Sequence, residues 1–203
     1  MIITIGRENG SGGHEIGELV AAELGMGYYD KKLISLAAER SGYSPEIVSR
    51  FDKSIDGENI KNSTAVGVYS RGFLSKQFSR VEDEMFVSQA QVIRRIANTE
   101  SAVIVGRCAD YILSVRENTF NVFIFAPIED RVRRIMKREQ MSEADALKKI
   151  MASDRGRGNH YFRFTDNKWG KAQNYDLCIN SSALGIEKTA QLIVDMARVA
   201  EFK

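Results

Sequence analysis

Proline and cysteine are scarce, two of each in 203 residues, and positive charge barely exceeds negative, with 29 Lys and Arg against 27 Asp and Glu. So few prolines predict long, unbroken regular elements. Cys108 and Cys178 stand apart, without metal-ligand spacing. Reduced, buried thiols in a cytoplasmic protein are therefore expected, and neither a disulfide nor a zinc site. A net charge of +2 is too small to draw nucleic acid or a membrane surface as a bulk partner. No apolar run approaches the ~20 residues of a membrane span, and the N-terminal stretch has the pattern of a strand, not of a secretory leader. What remains is 43% hydrophobic and 28% charged, the composition of a soluble globular chain of enzyme size with length for one domain.

One further absence is local. Ile2, Ile3 and Ile5 form a β-branched run suited to a buried parallel strand, and it leads into Gly6-Arg7-Glu8-Asn9-Gly10-Ser11-Gly12-Gly13-His14-Glu15-Ile16. An amphipathic helix follows, with Ile16, Leu19, Val20 and Leu24 at helical spacing and Gly25 as its stop. Strand, glycine turn and helix in this order make a phosphate-binding loop, in which backbone N–H groups curl around an oxyanion at a helix N-terminus. A plain βα turn has the same outline. The lysine that normally follows the last glycine of such a loop is missing: Gly13 and His14 stand after Gly12.

Further along, 102–106, 120–126 and 175–180 read as strands, and helical patterns between them give the alternation of a parallel sheet covered on both faces. Asp30 suits the N-cap of a helix over 31–40, and Ser44-Pro45-Glu46 marks another start. From Gly72 to Asn98 the residues Leu74, Phe78, Val81, Met85, Val92 and Ile96 predict one long helix with a narrow apolar seam. Such a seam serves packing within the monomer or a homodimer. The polar stretch 53–71 reads as a long loop, and 185–199 as a final helix.

Arg133, Arg134, Lys137 and Arg138 read mainly as a solvated helix face. Ser142 with Asp145 starts another helix that is expected to end near Ser153. Beyond it, Asp154-Arg155-Gly156-Arg157-Gly158-Asn159-His160 spaces arginines with glycines, as a mobile phosphate clamp requires, although an exposed basic loop has the same composition.

Taken in order, these motifs resemble the cytidylate-kinase-like family. The likeness rests on the glycine loop, on Ile104-Val105-Gly106-Arg107-Cys108-Ala109-Asp110-Tyr111, on Ala126-Pro127-Ile128-Glu129-Asp130-Arg131, on Asp154 to Arg157, and on Phe164 to Trp169 with Asn174 to Leu177. It spans nearly the whole chain. The resemblance implies an α/β fold of P-loop NTPase type: a parallel sheet flanked by helices, with a helical acceptor-binding region and a lid. It also implies a single kinase-like domain over 1–203, with a core of 1–30, 100–140 and 170–203, an acceptor region of 31–99 and a lid of about 141–169.

The implied activity is phosphoryl transfer from ATP, with Mg²⁺, to a small phosphorylated acceptor, foremost a nucleoside monophosphate. The alternative is a nucleotide-binding regulatory module whose catalysis is impaired. By the same resemblance Gly10, Ser11, Gly12, Gly13, His14 and Glu15 bind nucleotide, Arg107 and Asp110 bind the acceptor, and Arg155 and Arg157 are lid arginines with catalytic roles. Arg7, at the strand end, and His14 are the candidates for the missing cation. The family's aspartate directly after the strand arginine is Cys108 here, with Asp110 two residues on. The hydroxyl that normally meets magnesium is His14 or Glu15, and no metal ligand is assigned.

Overall fold

The computed structural model describes residues 1–30, 32–42, 44, 55 and 71–199. Five parallel strands stand in the order β2-β3-β1-β4-β5: β1 Ile2–Arg7, β2 Gly27–Tyr29, β3 Ala102–Val105, β4 Thr119–Phe125 and β5 Leu177–Asn180. In the central strand Ile2 sits opposite Ala102 on one side and Thr119 on the other. Successive side chains of β1 leave on opposite faces and enter different cores. Ile3 and Ile5 join Ile16 and Val20 of α1 (Gly13–Leu24) and Ile193 of α8 (Ile186–Val199). Ile2 joins Leu33 of α2 (Lys32–Ser41), Ile93 of α3 (Arg71–Thr99) and Ile112 of α4 (Ala109–Ile112). Burial on both faces is why β3 is apolar throughout and β1 nearly so, without alternation. A smaller cluster of Val132, Ile135, Ala146 and Ile150 fastens α5 (Ile128–Glu139) to α6 (Glu143–Thr165). A short α7 (Ser181–Leu184) follows β5.

Gly25 ends α1 in a left-handed conformation, and Ser142 caps α6 by accepting the Asp145 N–H at 3.2 Å, as the sequence predicts. The long helix and the last helix also lie where expected. Three readings need correction. The segment 27–29 is not among the strands read from the sequence; it becomes β2 through its pairing with Val103 and Ile104. Asp30 does not cap α2 through its side chain among the described residues, because that carboxylate turns to Arg7 and His14. The break expected after Ser153 does not occur either. α6 continues through Gly156 and Gly158 to Thr165, since Ser153, Tyr161 and Thr165 are buried on its inner face. That packing outweighs a glycine penalty of about 1 kcal/mol per residue. The second helix start at Pro45 and nearly all of the 53–71 loop lie outside the described residues. Among the described residues no helix is long and apolar enough to cross a membrane.

Candidate active site

β1 delivers the chain to the carboxyl edge of the sheet, where the glycine turn begins. Gly10 and Gly12 both take φ of 81°, which L side chains seldom adopt, and Gly12 forms the N-cap of α1. Ser11 is fully buried; its hydroxyl donates to the Glu8 carbonyl at 2.9 Å, and its own carbonyl accepts from Ser181 Oγ at 2.6 Å. These bonds fix the turn so that the first amides of α1, at Gly13, His14 and Glu15, have no partner within their own helix.

Arg7 fills the space beside the turn. A Cβ at Gly13 would lie 2.6 Å from the Arg7 Cβ, and one at Gly106 would lie 2.0 Å from its Nη1. Arg7 Nη2 donates to Asp30 Oδ1 at 3.2 Å, and the other Asp30 oxygen lies 3.0 Å from His14 Nδ1. The Tyr28 hydroxyl is 2.9 Å from that same nitrogen. Arg7 and His14, the two candidate cations, thus share one buried carboxylate.

Behind the turn lies a network that the sequence reading missed. Arg131 donates to Asp154 and to the Asn9 carbonyl, and lies 3.5 Å from Glu8 Oε2. Asp154 also accepts the Asn9 N–H at 2.8 Å, and Glu8 accepts the Ala126 N–H at 3.1 Å. Burial pushes the Glu8 carboxyl above its ordinary range, opposed by the Ala126 hydrogen bond and the Arg131 charge. Arg134, expected on a solvated face, donates to the Gly10 carbonyl at 3.2 Å and to Ser181 and Ser182. A signal existed: arginines three apart at the start of a helix that follows a strand share the face turned back toward the sheet edge.

Asp154→Ala is expected to cost roughly 2–4 kcal/mol of folding stability, because it strands the buried Arg131 guanidinium and the Asn9 N–H together. Urea denaturation checks this. A loss below about 1 kcal/mol would mean that solvent replaces the carboxylate at no penalty.

At the end of β3, Gly106, Arg107 and Cys108 follow one another with φ of 73°, 59° and 53°. Two non-glycine residues in that region carry strain of roughly 1–2 kcal/mol each, and such strain collects at functional sites. The turn sets Arg107 into a cleft beside the start of the glycine loop, where Gly6 also lines it. Arg7 and Arg157 line the same cleft, with Asp110 and the rings of Tyr161, Trp169 and Tyr175. Asp110 accepts the Tyr161 hydroxyl at 2.7 Å; burial raises its carboxyl, and that hydrogen bond holds the rise back. The imidazole of His160, also in the wall, is pushed down to about 3 by burial and by the charges of Arg107 and Arg163, so it stays neutral. Burial raises the Cys108 thiol, which excludes it as a nucleophile.

Of the arginines read as a clamp, only Arg157 faces the cleft, and it donates to the Arg7 carbonyl at 3.1 Å. Arg155 is exposed, since two helix positions are separated by about 200°. Arg107 and Asp110 line the same cleft.

A parallel sheet in this order, with a glycine turn after its central strand and a cleft at its carboxyl edge, defines an α/β fold of the P-loop kinase type. The chain belongs to the cytidylate kinase-like family, whose model matches residues 2–183. A cytidylate kinase of Methanobrevibacter smithii is 24% identical over 98% of this chain and 99% of its own length. A uronate isomerase of Corynebacterium glutamicum is 29% identical over 49% of this chain, which spans only 19% of that protein. A crystal structure of an uncharacterised protein from Eubacterium ventriosum superposes with a TM-score of 0.72 at 27% identity, covering 98% of this chain and 99% of that one. The shikimate kinase of Bacteroides thetaiotaomicron shares the fold, with a TM-score of 0.56 at 14% identity over 98% and 99% of the two chains.

Proposed function

We propose that this protein transfers the terminal phosphoryl group of ATP to a small phosphorylated acceptor, a nucleoside monophosphate foremost. The observation that carries this reading is the convergence of Arg7, Arg107 and Arg157, from three separate elements, on one cleft beside the glycine cradle. Phosphoryl transfer asks for positioning and for neutralisation of charge spread over oxygens, with little covalent chemistry from the protein. Guanidinium groups supply both through forked hydrogen bonds. Arg7 takes the part of the absent loop lysine in this reading, because its stem already occupies the volume that a side chain at position 13 would need. The glycine at 13 is then the counterpart of the arginine at 7. Arg107 and Asp110 receive the acceptor, and α6 holds the place of the lid.

ATP enters with Mg²⁺ in this account. Among the described residues no group of three or more His, Cys, Asp and Glu is placed to hold a metal, and the Ser11 hydroxyl is turned inward to Glu8. That fits an ion that keeps several waters and binds through phosphate oxygens and one or two carboxylates. Glu15, exposed on the first turn of α1, would be its carboxylate. The bound ion would supply charge neutralisation between the phosphates.

The test is ADP release from MgATP against a panel of nucleoside monophosphates, with shikimate as a hydroxyl acceptor. One monophosphate is expected to raise ADP release at least about a hundredfold over ATP alone, a fraction of what positioning alone can give. ATP binding without turnover of any acceptor would instead make the chain a nucleotide-binding module whose catalysis went with the lysine.

A further inference from the structure

Arg7 reaches its position along a track of two glycines. A Cβ at Gly13 would lie 2.6 Å from its Cβ and 2.9 Å from its Cγ, and one at Gly106 would lie 2.0 Å from its Nη1. Gly13 begins α1 without a positive φ, so what the glycine supplies there is room for the arginine stem. At the far end of the track Nη2 donates to Asp30 Oδ1 at 3.2 Å, and both side chains are largely buried, 15% and 8% exposed.

Asp30 is braced from its other side. Its second oxygen lies 3.0 Å from His14 Nδ1, and the His14 ring is held in turn. The Tyr28 hydroxyl lies 2.9 Å from that nitrogen and donates to the His14 carbonyl at 3.3 Å, while Glu18 Oε1 lies 3.6 Å from Nε2. The end of β1, the first turn of α1 and the end of β2 thus meet at one carboxylate. A guanidinium carries its N–H groups in a rigid planar fork, so fastening one of them sets the direction of the rest. A carboxylate backed by an imidazole is a firm point to fasten it to.

We infer that Asp30 is a positioning residue: backed by His14, it aims the Arg7 guanidinium at the phosphates of a nucleotide held on the glycine turn. The inference rests on the ATP site of the kinase reading above, and it separates the two candidate cations. Arg7 meets the phosphates; His14 acts only through Asp30. The long arginine stem has many rotamers, and fixing one of them before the nucleotide arrives spares that cost on binding. The bond to Asp30 engages one N–H of the fork, so the guanidinium keeps a second edge for phosphate oxygens, on the side where Arg7 lines the cleft.

A double-substitution cycle on MgATP binding tests it, since a residue that acts through another loses its effect when the other is gone. Arg7→Ala and Asp30→Asn are each expected to weaken MgATP by about 10-fold or more, the worth of one charged hydrogen bond. The two together are expected to weaken it no further than Arg7→Ala alone, to within about twofold. Asp30→Glu, which keeps the charge, is expected to recover part of the loss. His14→Ala is expected to have a smaller effect, and only while Arg7 is present. If Asp30→Asn weakens MgATP equally with and without Arg7, the carboxylate meets the ion or the nucleotide itself and the inference falls. It falls also if Asp30→Asn lowers the melting temperature with MgATP binding unchanged, or if neither Asp30 variant folds, since Asp30 is then only a tie between strand ends. An effect of His14→Ala that persists without Arg7 makes His14 a phosphate-binding cation and overturns the assignment. If the cycle comes out as expected and no monophosphate is phosphorylated, the inference stands and the kinase reading falls. If wild type binds no MgATP, both fall.

Discussion

Arg157→Ala is expected to lower turnover by about 10²–10³ while ATP binding changes by no more than a few fold, the signature of a charge met chiefly in the transition state. Arg157 lines the cleft and is held at the glycine loop by its bond to the Arg7 carbonyl. With a glycine where the loop lysine would stand, less cationic charge is left to neutralise the transferring group, so each remaining guanidinium matters more. A bisubstrate analogue that joins ATP to a monophosphate gives a second measurement, free of the turnover assay. Wild type should hold it far more tightly than ATP, and Arg157→Ala should lose most of that margin. Arg155→Ala is expected to do less, in keeping with its outward position. Equal losses from the two would mean that α6 turns when ligands bind and carries Arg155 inward.

The second large effect belongs to Gly10. A Cβ there would lie 2.9 Å from the Arg131 carbonyl oxygen and 3.0 Å from its Cβ, on a backbone with φ of 81°. Neither neighbour can step aside, because Arg131 is held by Asp154 and Asn9. Gly10→Ala is therefore expected to lose roughly 2–4 kcal/mol of stability, left-handed strain and overpacking combined, and with it the shape of the cradle. Gly12 makes the informative contrast. A Cβ there would come within 2.2 Å of Ile186, but only of its terminal Cδ1, which can swing away. Gly12→Ala should cost less, and Ile186→Ala should restore part of it. Thermal melts and titration with ATP check both. If Gly12→Ala proves the more damaging, the Arg131 contact does not set the shape of the loop.

The sequence is most legible where one local rule decides the outcome. The apolar runs around Ile3, Ile104 and Ile124 are strands because both of their faces are buried, and Gly25 ends α1 because the last turn needs a left-handed residue. Candidate site residues that follow a strand, such as Arg7 and Arg107, were legible for the same reason: strand ends set their place. Outcomes decided by distant neighbours were not. Glycines 156 and 158 argue for a break, and the burial of Ser153 and Tyr161 overrules them. Asp30 is a good cap by type, but Arg7 and His14 claim its carboxylate from across the sheet edge. Arg131 and Arg134 look like any charged helix turn until the glycine loop is folded against them.

α6 is fastened along one side at Asp154, Arg157 and Tyr161, to Asn9, to the Arg7 carbonyl and to Asp110. Seven residues of helix separate the outer two fastenings, a rod of about 10 Å. One end grips the loop where a donor's phosphates would rest, and the other grips the residue beside the opposite half of the cleft. A rod fastened at both ends keeps them at a set distance, so Asn9 of the glycine loop and Asp110 beyond β3 are spaced by one length of helix.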